Sequence, residues 1–145
     1  MDTYTHLGFT GNRFGMTLRQ MKEINSYMEI CKSLGMSIAH HGDCIGADAE
    51  FHKLARIIGF KVYLHPPNND SKRAFCDFDF IDKPLPYLER NQVIVDSCDV
   101  LVAAPDSYDE KLHSGTWSTI RKARTAKINT HIYYPDGSST TEWYK

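Results

Sequence analysis

The sequence lacks the features that would tie the protein to a membrane, to secretion or to nucleic acid. No stretch approaches the roughly 18 apolar residues that a bilayer span needs, and the segment from Met1 to Tyr4 lacks the basic and apolar regions of a signal peptide. The formal net charge of -1 gives no broad attraction to nucleic acid or to an anionic surface. We therefore expect a cytoplasmic protein with no membrane or nucleic-acid partner.

Cysteine is also sparse. Four cysteines are scattered through the chain without a C-x-x-C pair: Cys31, Cys44, Cys76 and Cys98. In a reducing compartment this pattern favours free thiols over disulfides.

The remaining composition is that of an ordinary globular domain. The chain has 145 residues, of which 41% are hydrophobic and 24% are charged. A chain of this length can bury a core without disulfides or a structural metal. We expect one domain spanning residues 1–145.

Hydrophobic spacing predicts strands that alternate with helices. Thr17 and Gln20 form a capping-box pattern ahead of a helix that ends near Gly35. Further helices are predicted at 47–58, 87–97 and 116–127, strands at 4–10, 36–40, 60–65, 100–104 and 130–134, a long loop at 68–86, and a turn at 135–137 followed by a polar tail. This order predicts an α/β, Rossmann-like three-layer domain with about five mostly parallel strands and helices on both faces.

Three glycine-bearing turns each follow a predicted strand and precede a predicted helix. They are the segments 8–13, 41–48 and 113–116. Helix N-termini offer free N–H groups to an anion, and glycine allows close approach to the backbone. We therefore expect a phosphorylated nucleotide-like ligand at the carboxyl ends of the strands. The candidate binding residues are Thr10, Gly11, Asn12, Arg13, His41, Gly42, Asp43, Gly46, Asp48, Arg90, Asn91, Ser114, Gly115, Thr116 and Trp117.

Several of these residues have ordinary structural alternatives. Arg13 fits a phosphate or a surface salt bridge, and Asp48 fits a helix cap or ribose hydroxyls. His41 fits either a ligand contact or a satisfied buried histidine. Trp117 fits core packing or a stacking surface for a base.

No cofactor or metal is expected. The glycine spacing differs from G-x-G-x-x-G, which disfavours a nicotinamide dehydrogenase. His40, His41, Asp43 and Cys44 are metal-ligand types, but neighbouring strand residues point to opposite faces and do not converge easily.

The motifs in segments 8–13, 41–48 and 90–105 resemble the SLOG superfamily, over about residues 4–135. The resemblance is greatest to its small stand-alone branch of YspA- and YpsA-related proteins. It implies a Rossmann-like fold and a homo-oligomer that binds a nucleotide or nucleotide-derived signal, such as an ADP-ribose or cyclic ADP-ribose type, as a sensor or sponge without catalysis.

The alternative implied by the resemblance is a nucleoside-phosphate N-glycosidase, as in the Lonely Guy enzymes. Arg90 matches the arginine of that family, but Trp117 to Thr119 hold no match to its glutamate. Such a reaction needs a carboxylate. The catalytic residues are therefore unassigned, with Arg90, Asp43 and Glu89 as candidates and Asp106 and Glu110 as further carboxylates.

Overall fold

The structure is a computed structural model that describes residues 4–144. Within that range the strands are β1 (His6–Gly11), β2 (Ile38–His41), β3 (Lys61–Leu64), β4 (Phe80–Ile81), β5 (Val100–Ala104), β6 (Asn129–Tyr133) and β7 (Ser139–Glu142). The helices are α1 (Leu18–Ser33), α2 (Ala47–Ile58), α3 (Tyr87–Ser97) and α4 (Gly115–Ala126), with a single 3-10 turn at Asp70–Lys72.

All seven strands form one sheet in the order β4-β3-β2-β1-β5-β6-β7. Strands β1 to β6 are parallel, and β7 runs antiparallel to β6. The expected Rossmann-like α/β fold is confirmed, although the sheet has seven strands and not about five. The chain leaves β1 toward β2 and later returns to its other side as β5, so the topological switch point lies between β1 and β5.

The two additional strands lie where the sequence carries no periodic signal. β4 falls inside the predicted long loop and is only two residues long, held by main-chain bonds from Asp79 to Val62 and from Asp82 to Leu64. β7 falls in the predicted polar tail and reads Ser-Thr-Thr-Glu. A two-residue strand and a polar edge strand lack the alternation from which strands are predicted.

Helices cover both faces of the sheet because the central strands are apolar on both sides. On β5, Val100 and Val102 join the core beneath α1 and α2, whereas Leu101 and Ala103 pack toward α3 and α4. The predicted capping box of α1 is present. Between residues 4 and 144, no helix has the length and apolar character that a bilayer crossing requires.

Candidate functional site

A cleft of about 1010 Å³ opens at the carboxyl ends of the central strands. The turns after β1 and β2, the start of α3 and the loop into α4 form its walls. Of the residues proposed from sequence, the structure places eleven on the cleft wall: Thr10, Gly11, Asn12, Arg13, Gly42, Asp48, Arg90, Asn91, Ser114, Gly115 and Thr116. The parallel topology brings these distant segments together at one edge of the sheet.

The turn after β1 is rigidly built against the start of α2. Asn12 accepts the N–H of Phe14 at 2.9 Å and donates from Nδ2 to Gly15 O at 3.0 Å, while its own carbonyl accepts the N–H of Ala47. Arg13 is exposed and lies 5.0 Å from the centre of the Phe14 ring. Throughout residues 4–144 no carboxylate pairs with Arg13, so its charge faces the cleft and solvent.

Arg90 supplies a buried positive charge at the cleft floor. Only 5% of the residue is exposed. Its Nη1 donates to Gly42 O at 2.6 Å and to His65 O at 3.2 Å, and its Nε donates to Asn91 Oδ1 at 2.8 Å. Nη2 has the Cys44 sulfur at 3.7 Å. The guanidinium is thus held by neutral groups, and within the described chain it forms no salt bridge with a carboxylate.

Asp48 is the buried carboxylate of the cleft. It lies in the first turn of α2 and is 7% exposed, and its Oδ2 accepts the N–H of Cys44 at 3.2 Å. It therefore binds the preceding turn and is not the N-cap, a position that Gly46 occupies. Burial raises the pKa of Asp48 to about 6, against the opposing effect of the nearby Arg90 charge.

The N-terminus of α4 forms the opposite wall. The Ser114 hydroxyl accepts the N–H of Trp117 at 3.2 Å, which caps the helix. A Cβ added to Gly115 would meet no atom within 4 Å, so the backbone there is open. The positive helix end and its free N–H groups at Gly115 and Thr116 favour an anion at this wall.

Cationic side chains outnumber acidic ones around the cleft. Four lining residues are lysine or arginine (Arg13, Lys72, Arg90 and Lys111), and two are acidic (Asp48 and Asp106). Asp106 is itself 3.5 Å from Lys111. The uncompensated charge of the cleft is therefore positive, which favours an anionic ligand.

The sequence interpretation missed the apolar rim of the cleft. Phe14, Tyr87, Leu88 and Leu112 line it and are 40% exposed or more. Trp117, which the sequence offered as a stacking surface for a base, does not line it. The feature that marks this rim is the exposure of Tyr87 and Leu88 at the start of α3. Because a sequence does not show exposure, no sequence signal could have found it.

Asp43 lies behind the cleft wall and ties two loops together. It is fully buried, its Oδ2 accepts from Arg73 Nε at 2.9 Å, and its Oδ1 accepts the N–H of Cys76 at 2.9 Å. Its backbone has φ 52, which places it in the left-handed region. Asp43 thus anchors the segment that follows the 3-10 turn onto the turn after β2, and it does not line the cleft.

His41 also lies away from the cleft, in a hydrogen-bonded chain. Its Nδ1 accepts the N–H of Asp43 at 2.9 Å, so the neutral ring carries its proton on Nε2, which faces His52 Nδ1 at 3.0 Å. His52 in turn bonds Asp77. This is the satisfied buried histidine that the sequence left open as an alternative.

A group of potential metal ligands, His41, His52 and Cys76, has ligand atoms within 4.8 Å of one another. Coordination through His41 Nε2 would move the ring proton to Nδ1, which already faces the N–H of Asp43. Burial and the neighbouring Asp43 raise the pKa of the Cys76 thiol to about 12. The donor set therefore does not suit a metal ion.

A second histidine chain lies under the opposite face of β2. His6 Nδ1 is 2.8 Å from His40 Nε2, His40 Nδ1 is 2.8 Å from His65 Nε2, and His65 Nδ1 is 2.8 Å from Asp82 Oδ2. The carboxylate accepts, so each neutral ring donates from Nδ1 to the next acceptor. Burial and its two histidine neighbours lower the pKa of His40 to about 3.

The remaining predicted residues lie outside the cleft lining. Trp117 is 3% exposed in the core beneath α4, and its Nε1 donates to Ser107 Oγ at 3.1 Å. Gly46 is packed against the backbone of Arg13 and has φ 91, so only glycine fits there. Glu89 is exposed outside the cleft.

Comparison with known proteins supports the fold alone. No family model matches the chain, and no curated protein matches it. A structure solved by X-ray methods as the structural genomics target TM1055 is similar, with a TM-score of 0.62 and 14% sequence identity over 87% of this chain and 72% of that chain. At this identity the likeness shows a shared Rossmann-like α/β architecture.

Proposed function

We propose that the protein binds a phosphorylated nucleotide or nucleotide-derived signal in the cleft, as a sensor or sponge without catalysis. The observation that carries this proposal is Arg90. A buried guanidinium is costly unless anions compensate its charge, and Asp48, which lies across Gly42 from Arg90, forms no direct salt bridge with it in residues 4–144. Its position on the wall of an open, positively charged cleft supports an exchangeable anion as that partner.

The layout of the cleft fits the parts of a nucleotide. The N-terminus of α4, with Lys111 beside it, suits a phosphate group. The apolar rim offers Tyr87 and Phe14 as flat surfaces for a base. The volume of about 1010 Å³ lies at the upper end of the usual range of small-ligand sites, and accommodates a ligand as large as a dinucleotide.

We also propose membership of the SLOG superfamily, in its stand-alone branch. Support comes from the placement of the glycine turns and of Arg90 and Asn91 around one cleft of a Rossmann-like fold. The fold agrees with that expectation but is shared by many unrelated proteins.

The first test is a thermal-shift screen with nucleoside monophosphates, NAD, ADP-ribose and cyclic ADP-ribose isomers, followed by chromatography of the recovered ligand. A ligand at about 100 times its Kd stabilises the native state by about 3 kcal/mol, which raises Tm by several degrees. We expect a phosphorylated member to do so and to be recovered intact.

Charge variants then assign the effect to the cleft. Arg13→Gln and Lys111→Gln change exposed side chains and should weaken binding, whereas Arg19→Gln alters an exposed arginine outside the cleft and should not. Arg90→Lys keeps the buried charge but loses the guanidinium fork. If no phosphorylated compound raises Tm, or if Arg13→Gln behaves like Arg19→Gln, the proposal is wrong.

Asp48 favours one second candidate, an N-glycosidase acting on a nucleoside phosphate. The family glutamate is missing, but Asp48 is a cleft carboxylate beside Arg90 with a pKa of about 6, which suits acid–base chemistry. Of the acids suggested from sequence, only Asp106 also lines the cleft; Asp43, Glu89 and Glu110 do not.

This candidate is tested in the same screen by its products. Free base and ribose phosphate in the recovered fraction would establish turnover. Asp48→Asn should then abolish turnover while ligand affinity persists, and Glu89→Gln should leave both unchanged. Intact ligand after long incubation with the wild-type protein would exclude the candidate.

A further inference from the structure

We infer that Asp48 binds the vicinal hydroxyls of a ribose, so that the cleft selects ribonucleotides with a free diol over their deoxy analogues. The inference rests on the proposed nucleotide-binding function and adds the chemical class of its ligand. It follows from the hydrogen-bond donors and charges that surround this one carboxylate.

Asp48 is short of hydrogen-bond donors. It is 7% exposed, and its donors are two backbone N–H groups of the preceding turn: that of Cys44, 3.2 Å from Oδ2, and that of Gly42. Like Arg90, it forms no salt bridge anywhere in residues 4–144. A buried carboxylate has room for about four donors, so a ligand that reaches Asp48 must bring hydrogen-bond donors.

The charge around Asp48 restricts what that ligand group can be. A phosphate there would face the carboxylate directly and be repelled. A cation there would be repelled by Arg90, because only Gly42 separates the side chains of Asp48 and Arg90. A Cβ added to Gly42 would collide with Arg90 Nη1 and lie 2.9 Å from Asp48 Oδ2. A neutral group with two donors satisfies both constraints.

Two neutral double donors occur in nucleotides: the ribose diol and the amino edge of a base. The position of Asp48 favours the diol. Asp48 lies on the polar floor with Arg90, whereas the flat apolar surfaces that suit a base, Phe14 and Tyr87, are exposed at the rim. The phosphate then extends toward Gly115 at the other wall, away from the carboxylate.

The test compares paired ligands by calorimetry. Adenosine monophosphate and ADP-ribose are each titrated against the matching 2′-deoxy compound. An unpaired buried acceptor should weaken binding of the deoxy compound by about tenfold or more. This comparison uses wild-type protein and does not depend on the folding of a variant.

Asp48→Asn then assigns the discrimination. It should reduce the ribose preference to about twofold, whereas Asp96→Asn, the same change at an exposed position on α3, should keep the full preference. Inosine monophosphate serves as a probe of base reading, because it lacks the amino group but keeps the diol, and it should bind as adenosine monophosphate does.

The outcomes separate the two proposals. Equal binding of ribo and deoxy compounds would overturn the diol inference and leave nucleotide binding standing. If the wild type bound inosine monophosphate more weakly than adenosine monophosphate and Asp48→Asn removed that difference, the diol inference would also be overturned, in favour of base reading. Absence of binding by every member of both pairs would remove the support for the proposed function itself.

Discussion

The chain from His6 through His40 and His65 to Asp82 makes the stability of the protein sensitive to acid. With the rings in their neutral tautomers, each of the three hydrogen bonds between His6 and Asp82 joins one N–H donor to one acceptor. A proton added to His40 would place two N–H groups against each other in a buried site. The perturbation that isolates this effect is His40→Asn, which removes the central titrating ring.

The magnitude follows from the pKa of His40, which burial and then the charges of His65 and His6 lower to about 3, while Asp82 and Asp99 act in the opposite direction. In the unfolded chain the ring has its ordinary pKa of about 6.5, so the unfolded state binds more protons between these two values. The stabilisation is present above pH 6.5 and is lost as the pH falls toward 3. Between pH 7 and pH 5 the loss is about 2 kcal/mol, and by pH 3 it is about 4 kcal/mol.

The assay is urea unfolding of wild-type protein and His40→Asn at pH 7 and at pH 5. We expect the wild-type free energy of unfolding to fall by about 2 kcal/mol more than that of the variant over this interval. His113→Asn is the matched control, because His113 is exposed and should leave the pH dependence unchanged. An equal pH loss in wild type and His40→Asn would refute the reasoning.

Three further substitutions test the assignments around the cleft. Asp43→Asn removes the buried carboxylate that pairs with the half-buried Arg73, so we expect a loss of about 3 kcal/mol in urea unfolding and faster tryptic cleavage after Arg73. Gly42→Ala places a methyl group against Arg90 and should cost about 2 kcal/mol while weakening ligand binding by tenfold or more in calorimetry. Trp117→Phe loses one hydrogen bond and should cost about 1 kcal/mol with ligand affinity unchanged.

The first two of these have a control of similar chemistry. Asp109→Asn changes an exposed carboxylate and should leave stability and proteolysis as they are. Gly115→Ala adds the same methyl group where no atom lies within 4 Å, and should not destabilise the fold. Loss of ligand binding in Trp117→Phe would contradict its assignment to the core.

The sequence predicted most elements because their signals are local. The bounds of α2, α3 and β5 match those predicted, since amphipathic spacing and a continuous apolar run do not depend on distant residues. β4 and β7 were missed because they exist only through pairing with β3 and β6. Their residues, taken alone, are those of a loop and a polar tail.

The candidate site, like the fold, could be predicted from the sequence only in part. Glycine turns before helices are visible in a sequence, and nine of the residues proposed on that basis lie on the cleft. Which side chain of a turn faces the cleft is not visible there: Asp43 and Asp48 share one turn and its helix, yet Asp43 is turned inward to Arg73 while Asp48 lines the cleft.

By itself, the sequence determined the alternation of strands and helices and the edge at which its glycine turns meet, because spacing and turn chemistry act over a few residues. Only the tertiary structure decided that Arg90 is buried without a direct salt bridge, that Tyr87 and Leu88 form part of an apolar rim, and that five of the histidines form two hydrogen-bonded chains. Burial and charge compensation are properties of residues brought together from distant positions, and no local pattern encodes them.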